Sequence, residues 1–528
     1  MNGAFRQSMS WLHTWTGLLF GWILLAMFLT GTASYFRPEI TRWMQPETGK
    51  PASVSTAIAG AEAYLRKAAP NARSWSISMP DERQSTVQVS WRPQPKAGEA
   101  EKPRRRGGRR GEQAVIDAGS GQVIKPRETR GGEFFYRVHF QMHYMPVIFG
   151  RWVAGLCAMF MLVAIISGVV THKRIFKDIF TFRPRKAAQR AWLDAHNLTA
   201  VLALPFHAMI TYTGLVTLMS LYMPWGMIAN YGSTDAYFDA VFPRAEAERS
   251  LGAAPLTPLG PVLAKSSEVW DGGRPWFVSV SNPGDASARI EVTSHSGDQL
   301  SNLGGSLTFD GVTGKLLTAE PDIGPSRRTG AVMYGLHMGR YADPLLRWLY
   351  FICGLAGSAM VATGLILWTA ARRQKLPDPE KPHFGFRLVE SLNIGTVAGV
   401  PAGMAAVLWA NRLLPLGLAE RAAWEVHGFF IAWGLFIVWA VIRPARKAWV
   451  ETLSVAAFMV AALPVVSALT SRRNLVRSLA DGDWAMAAFD VTLVALGATL
   501  AFCALKAKRY KPAVKPKRKA AQPVEVAA

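Results

Sequence analysis

Seven histidines of this chain stand where an apolar run begins, passes or ends: His13, His139, His143, His172, His196, His207 and His337. An ionisable side chain beside or inside a bilayer is costly to keep without a partner, and imidazole is a ready ligand for iron. Two of the seven repeat in context. FFYRVHFQMHYMP (134–146) and VMYGLHMGRYADP (332–344) both read Tyr-x-x-His with a proline seven residues after the histidine. Both then run into Arg-Trp, at Arg151-Trp152 and Arg347-Trp348. His13 and His196 correspond as well, each opening an apolar run and preceding a Thr-Gly (Thr30-Gly31, Thr213-Gly214) by the same interval. Paired imidazoles at two levels of a membrane are the ligand pattern of haem b, and two pairs point to two haems.

The other three histidines are less determined. His143 faces Tyr341 at the equivalent place in the second copy, so it is either a partner of His139 or a substitute for it. His172 is followed by Lys173 and Arg174, which fits a solvated helix end as well as a ligand. His207 falls well inside an apolar run, as a ligand or as a hydrogen-bonding neighbour of one. Plainer accounts exist for the pairs too: His13 and His196 as interfacial residues, His139 and His337 as surface residues ahead of proline-started helices. The duplication speaks against them. His295 and His383 read as solvated, and His427, after Glu425, as an internal polar contact.

The elements that position these residues are membrane spans. The chain has 528 residues, 50% hydrophobic and only 18% charged, against ~25% charged in soluble proteins. Eight apolar runs reach the ~20 residues a bilayer needs, near 13–36, 147–170, 197–223, 345–370, 388–410, 422–442, 448–470 and 484–506. The first is too long and too rich in Trp for the ~7–15-residue core of a signal peptide. The net charge of +23 would suit nucleic acid, but the basic residues crowd alternate short loops and the tail. That is the positive-inside pattern of a multi-pass bacterial inner-membrane protein with both termini cytoplasmic. Loop 471–483, with Arg472, Arg473 and Arg477, runs against it. Cys157, Cys353 and Cys503 lie inside apolar runs with no C-x-x-C spacing, which excludes c-type haem attachment and a recognisable zinc or iron–sulfur site.

Residues 1–172 and 194–370 read as two copies of one unit, a span, an external α+β module (about 37–146 and 224–342) and a second span. Helical spacing at 56–69 and 257–267, alternation at 85–91, and the turns Asp117-Ala-Gly-Ser-Gly and Asp310-Gly-Val-Thr-Gly mark matching elements. The insert PQPKAGEAEKPRRRGGRRGE (93–112) has no apolar periodicity and reads as a disordered tip. Basic loops at 173–193 and 371–387 separate the copies from each other and from a four-helix extension at 388–506, and a basic tail follows at 507–528. Duplicated membrane units place their site at the interface between copies. The fold class is thus a polytopic α-helical membrane protein of about eight spans with two inserted α+β modules.

WLHTWTGLLFGWILLAMFLTGTASYF, the D-x-x-(T/S)-G turns and the histidines near span ends resemble the PepSY-associated transmembrane family, over residues 11–370. The resemblance implies PepSY-like periplasmic modules and, for some members, siderophore-linked iron reduction. Together with the histidine pairs it gives a di-haem electron-transfer protein that reduces a periplasmic ferric siderophore, or another ferric complex, from Fe(III) to Fe(II). No catalytic acid or base is required. No G-x-G-x-x-G after a strand, Walker loop or H-E-x-x-H is present, so electrons come from elsewhere, quinol or a cytoplasmic flavoprotein. Apart from these and membrane lipid, no partner is called for. The alternative is a non-redox, membrane-anchored module that binds a peptide or protease.

Overall fold

A computed structural model of the chain describes residues 3–50, 54–94, 111–172, 183, 188–241, 248–319 and 324–510. Residues 95–110 of the arginine-rich insert, most of the 173–187 loop and the tail 511–528 lie outside these.

The first copy runs α1 (Gly3–Ser34), α2 (Arg37–Met44), α3 (Val54–Ala68), β1 (Ser74–Ser78), β2 (Thr86–Arg92), β3 (Glu112–Asp117), β4 (Val123–Ile124), α4 (Gly131–Gln141) and α5 (Val147–Thr171). The second begins with α6 (Ala188–Leu202) and α7 (Leu204–Thr217), then the short helices α8 (Met219–Tyr222), α9 (Trp225–Tyr231) and α10 (Thr234–Val241). It continues with α11 (Leu259–Val269), β5 (Pro275–Ser281), β6 (Arg289–Ser294), β7 (Ser306–Asp310), β8 (Leu316–Ala319), α12 (Pro325–Met338) and α13 (Pro344–Arg373). The remainder is helical: α14 (Phe384–Val397), α15 (Gly399–Leu413), α16 (Arg421–Ile442), α17 (Ala445–Ala461), α18 (Leu463–Thr470), α19 (Leu475–Ala480) and α20 (Trp484–Arg509).

Among the described residues, seven helices or joined helix pairs are long and apolar enough to cross a bilayer, and α6 with α7, bent by 67°, counts as an eighth if the pair is one broken span. A straight third span was expected; Pro205, in the first turn of α7, removes one N–H and crowds the preceding carbonyl, which breaks it. Asp343 caps α13 as its sequence predicts, accepting from the Leu346 N–H at 2.8 Å.

Outside the spans the two modules share one eight-stranded antiparallel sheet, in the order β4-β3-β2-β1-β5-β6-β7-β8. The copies meet where β1 pairs β5, Ser76 opposite Ser279. Alternating strand residues (Trp75, Ile77, Val87, Val89, Val278, Val280, Ile290, Val292) bury one face together with Leu65 of α3 and Leu263 of α11. The paired Asp turns hold as read: Asp117 and Asp310 each accept at 2.9 Å from the backbone N–H three residues on, and Gly121 and Gly314 take positive φ. β1 was not foreseen, since SWSIS, although it alternates serine with an apolar residue, is only five residues long.

The four C-terminal spans grip the first module. Arg412 donates to the Trp43 carbonyl at 2.5 Å and lies over its ring, while the Trp43 indole donates to Asp490 at 3.1 Å. Arg421 pairs with Glu425 at 2.7 Å and also donates to the Glu128 carbonyl at 2.9 Å; Thr129 donates to Glu425 at 2.5 Å. Arg473 donates to the carbonyls of Arg42 and Thr48, and Arg42 pairs with Asp483. Of the three arginines in the loop that runs against the charge rule, Arg473 is thus engaged with the first copy, while Arg472 and Arg477 are exposed.

Candidate functional site

His139 and His337 lie on α4 and α12, the short helices that lead into the second span of each copy, and their rings stand 6.2 Å apart at 30°. His13 and His196, on α1 and α6 near the opposite ends of the spans, stand 6.1 Å apart. Each pair takes one histidine from each copy. Each histidine is braced within its own copy: Nδ1 sits 2.8 Å from the Ala164 carbonyl for His13, 2.7 Å from Met27 for His139, 2.9 Å from Met360 for His196 and 3.0 Å from Ile210 for His337. A carbonyl can only accept, so Nδ1 carries the proton and Nε2 presents a free lone pair. Burial depresses both outer imidazoles, His337 to about 3 with His139 adding to the fall, so that pair is neutral at neutral pH.

Four residues after each bracing carbonyl comes a glycine, at Gly168, Gly31, Gly364 and Gly214. A Cβ there would lie 3.1 Å from His13, 2.7 Å from His139, 3.2 Å from His196 and 2.9 Å from His337. The Cε1–Nδ1 edge of each imidazole thus packs on a helix that has no side chain at that point. The residue before each glycine is Ser167, Thr30, Thr363 or Thr213, whose hydroxyl bonds back to its own helix at 2.7 Å. Sequence reading found this Thr-Gly in the first span of each copy and missed Ser167-Gly168 and Thr363-Gly364 in the second, although the same dipeptide pattern was there to count.

Two imidazoles bound by Nε2 to one metal at ~2.0 Å would put their ring centres about 6.2 Å apart, and the two pairs stand 6.1 and 6.2 Å apart. Either pair could therefore hold a metal group between the copies, and the outer pair also lines a cavity with room for a bulky one. His13 and Met27, the carbonyl that braces His139, are 14 residues apart on the unbroken α1, so along that helix the two levels are separated by about 21 Å.

The remaining candidates fall elsewhere. His143 is exposed, stacked on Phe430 and beside Tyr144, whose hydroxyl bonds His427. His172 caps α5 one turn beyond Gly168, with Nδ1 buried and unbonded. His207 is fully buried at the bend, against Phe28 and Phe206, and neither ring nitrogen makes a hydrogen bond of normal geometry. His383 accepts from the Phe386 N–H. His295 is not solvated as expected but half-buried, 3.4 Å from Asp81 and 3.5 Å from Asp298. His427 makes its polar contact with Tyr144 and meets Trp424 of its own helix edge to face.

The outer pair opens on a cavity of about 1410 Å³ between the sheet and the spans; neither His13 nor His196 lines it. Its deep walls are apolar (Phe28, Phe206, Met161) and its rim is charged, with Arg83, Arg274, Arg340 and Arg347 among others. The volume exceeds the ~300–1,000 Å³ of ordinary small-molecule pockets, so there is room for more than one occupant.

A duplicated span–module–span core with facing histidines defines a polytopic helical membrane protein built around an interface between copies. The chain belongs to the PepSY-associated TM region family, which matches residues 10–371. It is also similar to an uncharacterized protein of Pseudomonas aeruginosa, 24% identical over 315 residues, 56% of this chain and 76% of that one. The family match ends before α14, so the four C-terminal spans are an addition to it.

Proposed function

We propose that this is a two-haem electron-transfer protein of the bacterial inner membrane that reduces a ferric complex, above all a ferric siderophore, on the periplasmic side. The observation that carries the reading is the pair of inter-copy histidine couples, 6.1 and 6.2 Å apart, each with Nε2 free. A b-type haem supplies a reversible one-electron Fe(III)/Fe(II) couple. The chain's own residues do the rest. His13 and His196 would hold one such group near the cytoplasmic face, and His139 with His337 the other beneath the sheet. The bracing carbonyls fix each tautomer, with the proton on Nδ1 and the lone pair on Nε2. Apolar walls keep water from the spans, while the charged rim gives a polar complex a place to approach. Each ferric ion takes one electron and leaves as Fe(II), with quinol or a flavoprotein as the ultimate source.

The test is anaerobic. Dithionite-reduced protein, freed of excess reductant, is mixed with a ferric siderophore and an Fe(II)-specific dye. The account expects the reduced haem bands to decay as dye-bound Fe(II) appears in matching amounts. Bands that persist with no dye response would refute the assignment of this substrate.

A further inference from the structure

One cation of the outer cavity stands apart from the rest. Arg83 is paired with Glu39 at 2.7 Å, and Arg274 with Asp298 at 2.5 Å. Arg340, three residues beyond His337, has no carboxylate within ion-pair distance among the described residues. Its guanidinium lies 5.6 Å over the Trp276 ring and donates to the Ser296 hydroxyl at 3.3 Å. Carboxylates at this end of the cavity are already engaged. Glu133 is shared by Arg37 at 3.0 Å and Arg137 at 2.9 Å, and Asp81 accepts the Arg83 and Gln84 amides at 2.7 and 2.8 Å. Arg37 also lines the cavity, close enough to Arg340 to repel it. A half-buried guanidinium facing a second one, without its own counter-ion, is unfavourable until an anion joins them.

We infer that Arg340, backed by Arg37 and Ser296, is a binding site for a carboxylate that enters the cavity from outside the chain. The fork of Arg340 offers bidentate donors suited to a planar carboxylate. Two sources have this chemistry, the propionate of a porphyrin held by His139 and His337, and a carboxylate of an incoming ferric chelate. The first source rests on the haem reading above; the second does not.

The experiment uses the full chain in detergent, with Arg340→Gln and Arg340→Lys, and Arg37→Gln read the same way where Arg340→Gln does not fold. Two quantities are measured: the half-reduction potentials of the bound haems, and the affinity for the redox-inert Ga(III)–citrate anion beside a Ga(III) trihydroxamate that bears no carboxylate. A propionate site lowers one potential and leaves the other, because loss of the cation favours the ferric state, and Arg340→Lys restores part of it. A chelate site leaves both potentials and weakens Ga(III)–citrate roughly tenfold, with the trihydroxamate unchanged. Unaltered potentials together with unaltered citrate affinity overturn the site. A preparation without haem would defeat the haem reading alone, and the gallium arm then decides the site by itself.

Discussion

The inner and outer histidine pairs share one local design and differ in everything around it. All four rings lie on a glycine, brace Nδ1 on a carbonyl four residues before that glycine, and face a ring of the other copy at about the same distance. The inner pair sits on the spans themselves and lines no part of the large cavity. The outer pair sits on separate short helices, under a sheet both modules build, beside a cavity with a charged rim. Duplication set the same histidine geometry at both levels, while the inserted modules close a large cavity over the outer one. In the function proposed above, the outer pair is where a bulky polar partner would exchange electrons, and the inner pair would be a relay.

The largest expected difference comes from removing one ring at each level. His337→Ala should cost the outer haem and lower reduction of a ferric siderophore more than tenfold with any reductant. His13→Ala should spare reduction by dithionite, which reaches the outer haem directly, and abolish it with the membrane donor. Equal losses with both reductants would erase the distinction between relay and exit.

The C-terminal spans brace the outer level through α2 and residues 127–129, and touch the spans of both copies through Asn393, which accepts from the Trp22 indole at 2.9 Å and donates to the Leu365 carbonyl at 2.8 Å. Arg421 and Glu425 are 1% and 0% exposed, and breaking such a buried pair costs about 3–5 kcal/mol. Glu425→Ala should therefore lower the melting temperature and release the outer haem before the inner one, as the order of loss on heating will show.

A smaller, graded effect is expected at the glycines. An added methyl would meet the outer rings at 2.7 and 2.9 Å but the inner ones at 3.1 and 3.2 Å. Gly31→Ala and Gly214→Ala should lower haem content more than Gly168→Ala and Gly364→Ala, measured as haem per chain.

The mildest test is pH. Burial holds His139 and His337 neutral in the fold, His337 to about 3, whereas in an unfolded chain both take a proton below ~6.5. The unfolded state binds more protons throughout that window, so stability of the haem-free protein falls as pH drops below ~6.5 and continues to fall towards 3. Melting at pH 7 and pH 5 should differ in this sense, and less in His337→Ala.

Much of this plan is legible in the chain. Apolar run length marked the spans, and matching contexts paired His139 with His337 and His13 with His196. What escaped was long-range. Pairing of β1 with β5 joins strands about 200 residues apart, and the alternation in SWSIS is only five residues long. The bend before Pro205 was readable from the proline but masked by the continuous apolar run. The rim arginines looked like scattered surface charge, because which carboxylates they meet is decided only when the modules close over the spans. The same holds for Arg473, whose carbonyl partners lie more than 400 residues away.

The central claim is that two histidine pairs hold two haems, and haem-to-chain stoichiometry tests it most directly. Protein produced with ample haem should contain two haems b per chain, reducible by dithionite, and close to one in either His13→Ala or His337→Ala. A colourless preparation, or a haem content that neither substitution changes, would contradict it.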